Sequence, residues 1–90
     1  MASSRDRQLN FKQEIDVRGM RADEALQAVT YFIDDALQFN ISRVRILHGT
    51  GHGILRSLIR EYLQSNKLVK SFGDEDVRFG GAGITVVNLD

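Results

Sequence analysis

Apolar and polar positions along this chain change twice from a two-residue period to a helical period. They alternate over residues 14–18 and 43–47, which predicts two strands with one buried face each. Apolar side chains recur every three or four positions over residues 22–38 and 54–65, which predicts two amphipathic helices. We expect Asn40 to end the first of these helices.

Two further strands are predicted after the second helix. Residues 68–72 predict a short third strand, and the β-branched residues of 84–89 predict a fourth. The acidic stretch 73–76 and the glycine-rich stretch 80–83 are expected to form loops. Right-handed crossovers place both helices on one face of the sheet. The expected fold class is therefore α/β, of the α+β two-layer sandwich type, with the order β-α-β-α-β-β and a mixed sheet.

Length and composition limit the kinds of protein to which this chain can belong. The 90 residues suffice for one domain, placed at residues 14–90, and the mostly polar residues 1–13 are expected to be a flexible N-terminal tail or linker. The chain has no cysteine and no apolar run near the roughly 18 residues of a membrane span, which predicts a cytoplasmic protein without a membrane partner. Because 12 basic and 12 acidic residues cancel, nucleic-acid binding would need a local basic patch.

A glycine-rich turn, His48–Gly53, joins the second predicted strand to the second predicted helix. The free N–H groups and the positive dipole end of a helix N-terminus form an anion site, and glycines let the backbone approach a phosphate closely. Arg56 lies one turn into the helix and can add a charged contact, although Arg56 and Arg60 are otherwise expected to point towards solvent. The alternative is that the glycines merely allow a tight turn. The predicted backbone-binding residues here are Gly49, Thr50, Gly51, His52, Gly53 and Arg56.

Two other groups carry candidate chemistry. Asp16 and Arg18 point to the same side of the first strand, either as a surface ion pair or as catalytic groups. His48 and His52 are the side chains that titrate near neutral pH, so either can donate to phosphate or act as a general acid or base. No carboxylate accompanies the histidines at ligand spacing, and no metal site is expected.

A second glycine cluster precedes the last strand, with Gly80, Gly81 and Gly83 as candidate binding residues. By itself it is typical of a hairpin loop. If the last strand runs antiparallel to the second, however, this cluster meets the His48–Gly53 turn, and the end of the first strand brings Arg18 to the same edge. Ligands of open sheets bind at such carboxyl edges.

The three segments together resemble the signature blocks of the Smr (small MutS-related) domain family. They are Ile15–Gly19, His48–Arg56 and Gly80–Thr85, and the resemblance extends over residues 14–90. The chain is most similar to the C-terminal Smr domain of bacterial MutS-like ATPases that lack a mismatch-recognition domain. In that branch arginine often stands at the position of Arg18, where stand-alone Smr proteins have histidine.

The resemblance implies a fold similar to the C-terminal domain of translation initiation factor three. It also implies DNA or RNA binding, endonuclease (nicking) activity, and service to a MutS-like ATPase in recombination control or ribosome rescue. Carried over by position, Asp16, Arg18 and His48 are the expected catalytic residues. Arginine cannot act as a general base but can stabilise a phosphorane-like transition state. The alternative is a non-catalytic module that docks its parent on DNA or ribosomal RNA.

The expected partners follow from the same resemblance. They are DNA or RNA, the ribosome and the rest of a MutS-like ATPase chain, and the isolated domain is expected to be a monomer. No bound cofactor is predicted. A requirement of cleavage for a divalent metal is left open, and ATP is expected in the parent protein rather than in this domain.

Overall fold

The computed structural model describes residues 11–90, and the predicted flexibility of residues 1–10 lies outside the described part. The helices and strands occur in the predicted order, so this part of the prediction is confirmed. They are β1 Glu14–Asp16, α1 Ala22–Gln38, β2 Arg43–Leu47, α2 Ile54–Ser65, β3 Ser71–Asp74 and β4 Ile84–Asn88. Two single 3-10 turns, Val77–Phe79 and Gly81–Gly83, lie between β3 and β4.

The four strands form one mixed sheet in the order β1-β2-β4-β3. Strands β1 and β2 are parallel, while β4 runs antiparallel to both of its neighbours. Leu47 at the end of β2 pairs with Ile84 at the start of β4. The loop that follows β2 and the loop that precedes β4 therefore leave the sheet side by side, as expected.

One hydrophobic core fills the space between the helices and the sheet. Val44 and Ile46 of β2 point into it together with side chains from both helices, so both helices cover the same face. The architecture is a two-layer sandwich, as predicted. The fully buried core side chains include Val17, Ala25, Val29, Ile33, Ala36, Val44, Ile46, Ile59 and Val87.

Helix α1 ends at Gln38, two residues before the asparagine predicted to stop it. Asn40 adopts a left-handed conformation with φ 57°, which asparagine tolerates better than most residues. The N–H of Ile41 donates to the Ala36 carbonyl at 2.9 Å, and the N–H of Asn40 donates to the Leu37 carbonyl at 3.2 Å. These bonds satisfy two carbonyls of the last turn in a Schellman arrangement.

The residues just before β1 pack against the domain. The ring of Phe11 stacks on that of Phe32, with centroids 5.4 Å apart, and the Gln13 carbonyl accepts a hydrogen bond from the N–H of Arg45 at 2.8 Å. Residues 11–13 therefore belong to the packed structure, ahead of the predicted boundary at residue 14.

The predicted third strand, 68–72, begins three residues and ends two residues before the observed strand. Residues 66–69 form a turn, in which Asn66 accepts hydrogen bonds from the N–H groups of Leu68 and Val69. Leu68 is 67% exposed rather than part of a buried strand face. The strand instead includes Gly73, and it lies at the edge of the sheet with one paired neighbour.

Candidate nucleic-acid interface

Three loops come together at the carboxyl edge of β1 and β2. The N–H groups of His48 and Gly49 both donate to the carbonyl of Gly83, at 3.1 and 2.9 Å. A Cβ atom placed on Gly83 would lie 3.6 Å from the Thr50 methyl group, so the two glycine loops are in van der Waals contact. The structure thus brings together the segments that the sequence analysis placed at one edge.

Arg18 joins these loops from the end of β1. Gly49 has φ +81°, and a Cβ atom there would lie 3.6 Å from Cγ of Arg18, so the arginine stem packs directly over this glycine. The Arg18 side chain is 59% exposed, so its guanidinium remains open to a ligand. Arg18 is therefore positioned beside the glycine loop by contact with its backbone.

Asp16 holds the Arg18 guanidinium in place. One carboxylate oxygen of Asp16 accepts from the backbone N–H of Arg18 at 3.0 Å and from Nε at 2.9 Å, and the other accepts from Nη2 at 2.7 Å. The side-chain and backbone hydrogen bonds from Arg18 lower the pKa of Asp16 to about 2. Asp16 is consequently ionised at neutral pH, and it is a weak base.

The start of α2 offers an uncapped helix terminus. Its N-cap residue, Gly53, has φ 75° and no side chain to accept from the first turn, and that turn contains no acidic residue. Helix α1 differs, because Asp23 and Glu24 occupy its first turn. Within residues 11–90, the N–H groups of Gly51, His52 and Gly53 have no hydrogen-bond partner. This combination of free donors and dipole favours an anion.

The two loop histidines have different environments. His48 is 5% exposed, with Nδ1 2.8 Å from the Gly49 carbonyl and Nε2 2.8 Å from the Thr85 hydroxyl. A carbonyl can only accept, so Nδ1 carries the proton and the Thr85 hydroxyl donates to Nε2. His52 is exposed and bonds to nothing within the described residues. Of the two, His52 is the one open to a ligand.

Burial lowers the pKa of His48, and Arg60 and Arg56 lower it further. The unfolded chain takes up the imidazole proton near the ordinary pKa of about 6.5, so it binds more protons than the folded chain just below that pH. The free energy of unfolding is therefore highest above about pH 6.5 and falls as the pH drops towards the folded-state pKa. Carboxylates with lowered pKa values, such as Asp16, change the free energy of unfolding only at still lower pH.

We expect the melting temperature of the wild-type domain to fall between about pH 7.5 and pH 5.5, and to fall less in His48→Gln. The matched control is His52→Gln, which removes the exposed ring and is expected to keep the wild-type pH dependence. Thermal melts at several pH values measure both. A His48→Gln variant with the full wild-type pH dependence would contradict this account.

Arg56 and Arg60 do not point freely into solvent, and this prediction is wrong. Both guanidinium groups bond to the carboxylate of Asp74 at the end of β3. Nε of Arg60 also donates to the Thr85 hydroxyl at 3.2 Å, and its guanidinium lies over the ring of Phe72. The arginines of α2 thus attach the helix to β3 and β4, and Arg56 approaches the glycine loop with its charge partly neutralised.

The glycines of the loop before β4 differ in how far they are exposed. Gly81 is buried, and the Gly83 carbonyl is occupied by β2-loop donors. Gly80 is exposed and lines a groove of about 220 Å³ together with Arg18 and Thr50. Of these predicted binding residues, Gly80 is the most exposed, and half-buried Gly83 lines the same groove.

A second depression, of about 300 Å³, lies on the helix side of the glycine loop. Exposed Met20 and Ile54 form its apolar walls, and His52 lies at its edge. Neither apolar residue was predicted as a site residue, because Ile54 fits the apolar period of α2 and Met20 is a single apolar side chain outside any period. In the described part of the chain, no three His, Asp or Glu side chains are grouped closely enough to hold a metal ion.

The family model of the Smr domain matches residues 15–90. The chain belongs to the Smr domain family. It is 46% identical over 78 residues to the endonuclease MutS2 of Streptococcus equi subsp. equi and 47% identical over 75 residues to that of Streptococcus pneumoniae strain Taiwan19F-14. These alignments cover 87% and 83% of this chain, but 10% of either relative. The Smr chain therefore spans about a tenth of the length of the curated relatives it matches.

Two solved Smr structures have the same fold. The Smr domain of Thermus thermophilus MutS2 superposes with a TM-score of 0.83 at 44% identity, over 87% of this chain and 98% of that one. YdaL, a stand-alone small MutS-related protein from Escherichia coli, gives 0.81 at 25% identity, over 86% of this chain and 63% of that one. The resemblance seen in the sequence blocks is confirmed. Within residues 11–90, no helix is long and apolar enough to cross a membrane.

Proposed function

We propose that this Smr domain binds the sugar-phosphate backbone of DNA or RNA at the carboxyl edge of β1 and β2 and cleaves it as an endonuclease. The observation that carries the proposal is the grouping of three kinds of phosphate-binding group at one edge. These are the Arg18 guanidinium, the free N–H groups of the glycine loop and the exposed ring of His52. The MutS2 relatives are named endonucleases, which supports the proposal.

Backbone binding follows from the shape and charge of the loop. A phosphate seated at the start of α2 would accept hydrogen bonds from free N–H groups of Gly51–Gly53, with no Cβ atom at Gly51 or Gly53 to keep it away. Arg18, across Gly49, would contact the same phosphate or its neighbour. Because these donors meet the backbone rather than base edges, the binding is expected to show little sequence preference.

Cleavage requires a water oxygen to attack phosphorus while the bond from phosphorus to a sugar oxygen breaks. Arg18 would neutralise the charge that builds on the phosphoryl oxygens. His52 is the accessible group that can move a proton to or from the attacking or leaving oxygen. Asp16 and His48, which the sequence analysis placed among the catalytic residues, act as positioning residues in this scheme. Asp16 orients Arg18, and buried His48 braces the glycine loop.

The cellular setting belongs to the same proposal. We propose that the domain serves a MutS-like ATPase in the cytoplasm, in recombination control or ribosome rescue, and that it acts there as a monomeric unit without ATP or another bound cofactor. The support is that the alignment covers about a tenth of the length of the MutS2 relatives, and that the matched part of this chain is an Smr domain.

Incubation of the purified domain with supercoiled plasmid, branched DNA and structured RNA tests the proposal. Parallel reactions with Mg²⁺, with Mn²⁺ and with a chelator determine whether a divalent metal is needed. We expect nicked or cut products from the wild type, and a rate lower by about 100-fold in His52→Gln, the lower end of the effect of losing proton transfer. Equal cleavage by wild type and His52→Gln would remove His52 from the mechanism.

A specific observation favours a second candidate, a docking module that binds without cleaving. Carboxylates already neutralise the arginines around the site, Arg18 through Asp16 and Arg56 through Asp74. The low pKa of Asp16 also leaves that carboxylate a poor base. This candidate predicts salt-sensitive nucleic-acid binding and no products in any of the reactions above.

A further inference from the structure

An exposed aromatic side chain lies beside the glycine loops, on the open face of the sheet. Phe79 is 62% exposed, although it belongs to the single 3-10 turn Val77–Phe79 that crosses this face. Its carbonyl accepts a hydrogen bond at 3.1 Å from Arg45, whose side chain also bonds to Glu14 and Glu75. The ring borders a groove that contains Arg43 and Arg45, on the side of the sheet that faces away from both helices. The Arg78 guanidinium lies 5.6 Å from the ring centroid, so a base would stack on the ring face that Arg78 leaves free.

Hydrogen bonds fix the turn that presents this ring. The Asp76 carboxylate accepts from the backbone N–H of Arg78 at 2.9 Å and from its guanidinium at 3.1 and 3.0 Å. The Asp76 carbonyl accepts from the N–H groups of Phe79 at 2.8 Å and Gly81 at 3.0 Å. An aromatic side chain on a backbone already ordered in this way loses little further entropy when a ligand stacks on it.

The surface around Phe79 is continuous with the proposed phosphate site. Its neighbour Gly80 lines the groove that also contains Arg18 and Thr50. On its other side, Phe79 borders a shallow groove of about 600 Å³ that contains Arg43 and Arg45. Arg43 is exposed and forms no ion pair within residues 11–90, so its charge is available to a phosphate. A strand held at the glycine loop would thus pass Arg18, then Phe79, then Arg43.

We propose that Phe79 is a stacking platform for an unpaired base of the strand bound at the glycine loop. Unpaired bases stack on aromatic rings whatever their identity, whereas bases inside an intact duplex have both faces covered by their neighbours. The domain therefore favours single-stranded or distorted nucleic acid over intact duplex. This inference rests on the proposed function, because it assigns the structural class of the nucleic acid that the same edge binds.

Anisotropy titrations of a labelled, unstructured 20-nucleotide strand and of its perfect duplex test the inference at one salt concentration. We expect Phe79→Ala to weaken single-strand binding by about 5- to 150-fold, the range measured for loss of one stacked base, and to weaken duplex binding by less than that. The matched control is Tyr31→Ala. Tyr31 is equally exposed, at 61%, but lies on α1 in the other layer, and we expect no change.

A second readout reports the stacking itself. With 2-aminopurine in the single strand, wild-type protein is expected to change the fluorescence of at least one position, and Phe79→Ala is expected to abolish that change. Phe79→Leu keeps an apolar side chain in the turn but removes the flat ring, so it is expected to behave like the alanine variant. If Phe79→Ala has a lower melting temperature than the wild type, Phe79→Leu is used in its place.

Four outcomes would overturn the inference. Single-strand binding equal to wild type in both Phe79 variants overturns it while the proposed function stands. Equal losses for single strand and duplex, or the same loss in Tyr31→Ala, show a general effect rather than stacking. If the wild-type domain binds neither oligonucleotide, the proposed function fails, and the inference fails with it.

Discussion

Arg18→Ala is expected to lower the rate of phosphodiester cleavage by about 100- to 1,000-fold, the loss typical when one donor to a developing oxyanion is removed. Arg18 is the exposed cation that packs on the glycine loop, and its guanidinium is oriented by Asp16 through both carboxylate oxygens. Single-turnover cleavage with the enzyme in excess measures the chemical step separately from substrate binding.

Lys67→Ala is the matched control, because it removes one positive charge from the turn after α2, at the opposite end of that helix from the glycine loop. It is expected to retain wild-type cleavage. Arg18→Lys keeps the charge but lacks the planar fork that Asp16 orients, so it is expected to recover only part of the rate. Undiminished cleavage in Arg18→Ala would remove Arg18 from the mechanism and, with it, the observation on which the proposal mainly depends.

Thr85→Val is expected to lower the free energy of unfolding by about 1–3 kcal/mol, although it makes the core more apolar. Thr85 is fully buried, and its hydroxyl donates to Nε2 of His48 while accepting from Nε of Arg60. Valine would leave both nitrogens without that partner. For a domain of this size, each kcal/mol corresponds to a fall of roughly 4–8 °C in melting temperature.

Thr30→Val is the matched control for this change. The Thr30 hydroxyl donates to the Leu26 carbonyl in the previous turn of α1, and no buried nitrogen depends on it. It is expected to change stability by about 0.5 kcal/mol or less. Chemical denaturation of the three proteins compares them directly. If Thr85→Val is as stable as wild type, the His48–Thr85–Arg60 chain of hydrogen bonds does not contribute to stability.

The sequence pattern predicted the elements whose residues have one buried and one exposed face. Helices α1 and α2 and strand β2 lie where the periodicity placed them, because burial on one side imposes that period. The antiparallel placement of β4 beside β2 then accounted for the meeting of the glycine loops. Strand β3 was misplaced because Leu68 and Val69 are apolar residues of a turn, and because the observed strand contains Gly73, which local pattern assigns to a loop.

The chemistry of the site depended on contacts between residues far apart in the sequence. Both histidines belong to one loop, and nothing local distinguishes them. Thr85 lies 37 positions after His48 and forms a hydrogen bond with the His48 ring. The two histidine rings therefore have different environments. Similarly, Arg56 looked exposed on the helix because its partner, Asp74, lies in the strand that the pattern misplaced. The exposure of Phe79 depends on how the turn before β4 crosses the sheet, which hydrophobic periodicity does not describe.

Two arginines at this edge have the same local anchor. Asp16 with Arg18 and Asp76 with Arg78 each form an Asp-x-Arg unit, in which the carboxylate holds the backbone N–H and the guanidinium two residues later. In each unit the hydrogen bonds that orient the guanidinium come from an aspartate only two residues away, and the stem of Arg18 also packs on Gly49. If either segment shifts to follow a bent or branched substrate, its guanidinium keeps its orientation relative to that segment. The two arginines can then contact phosphates that lie at different spacings.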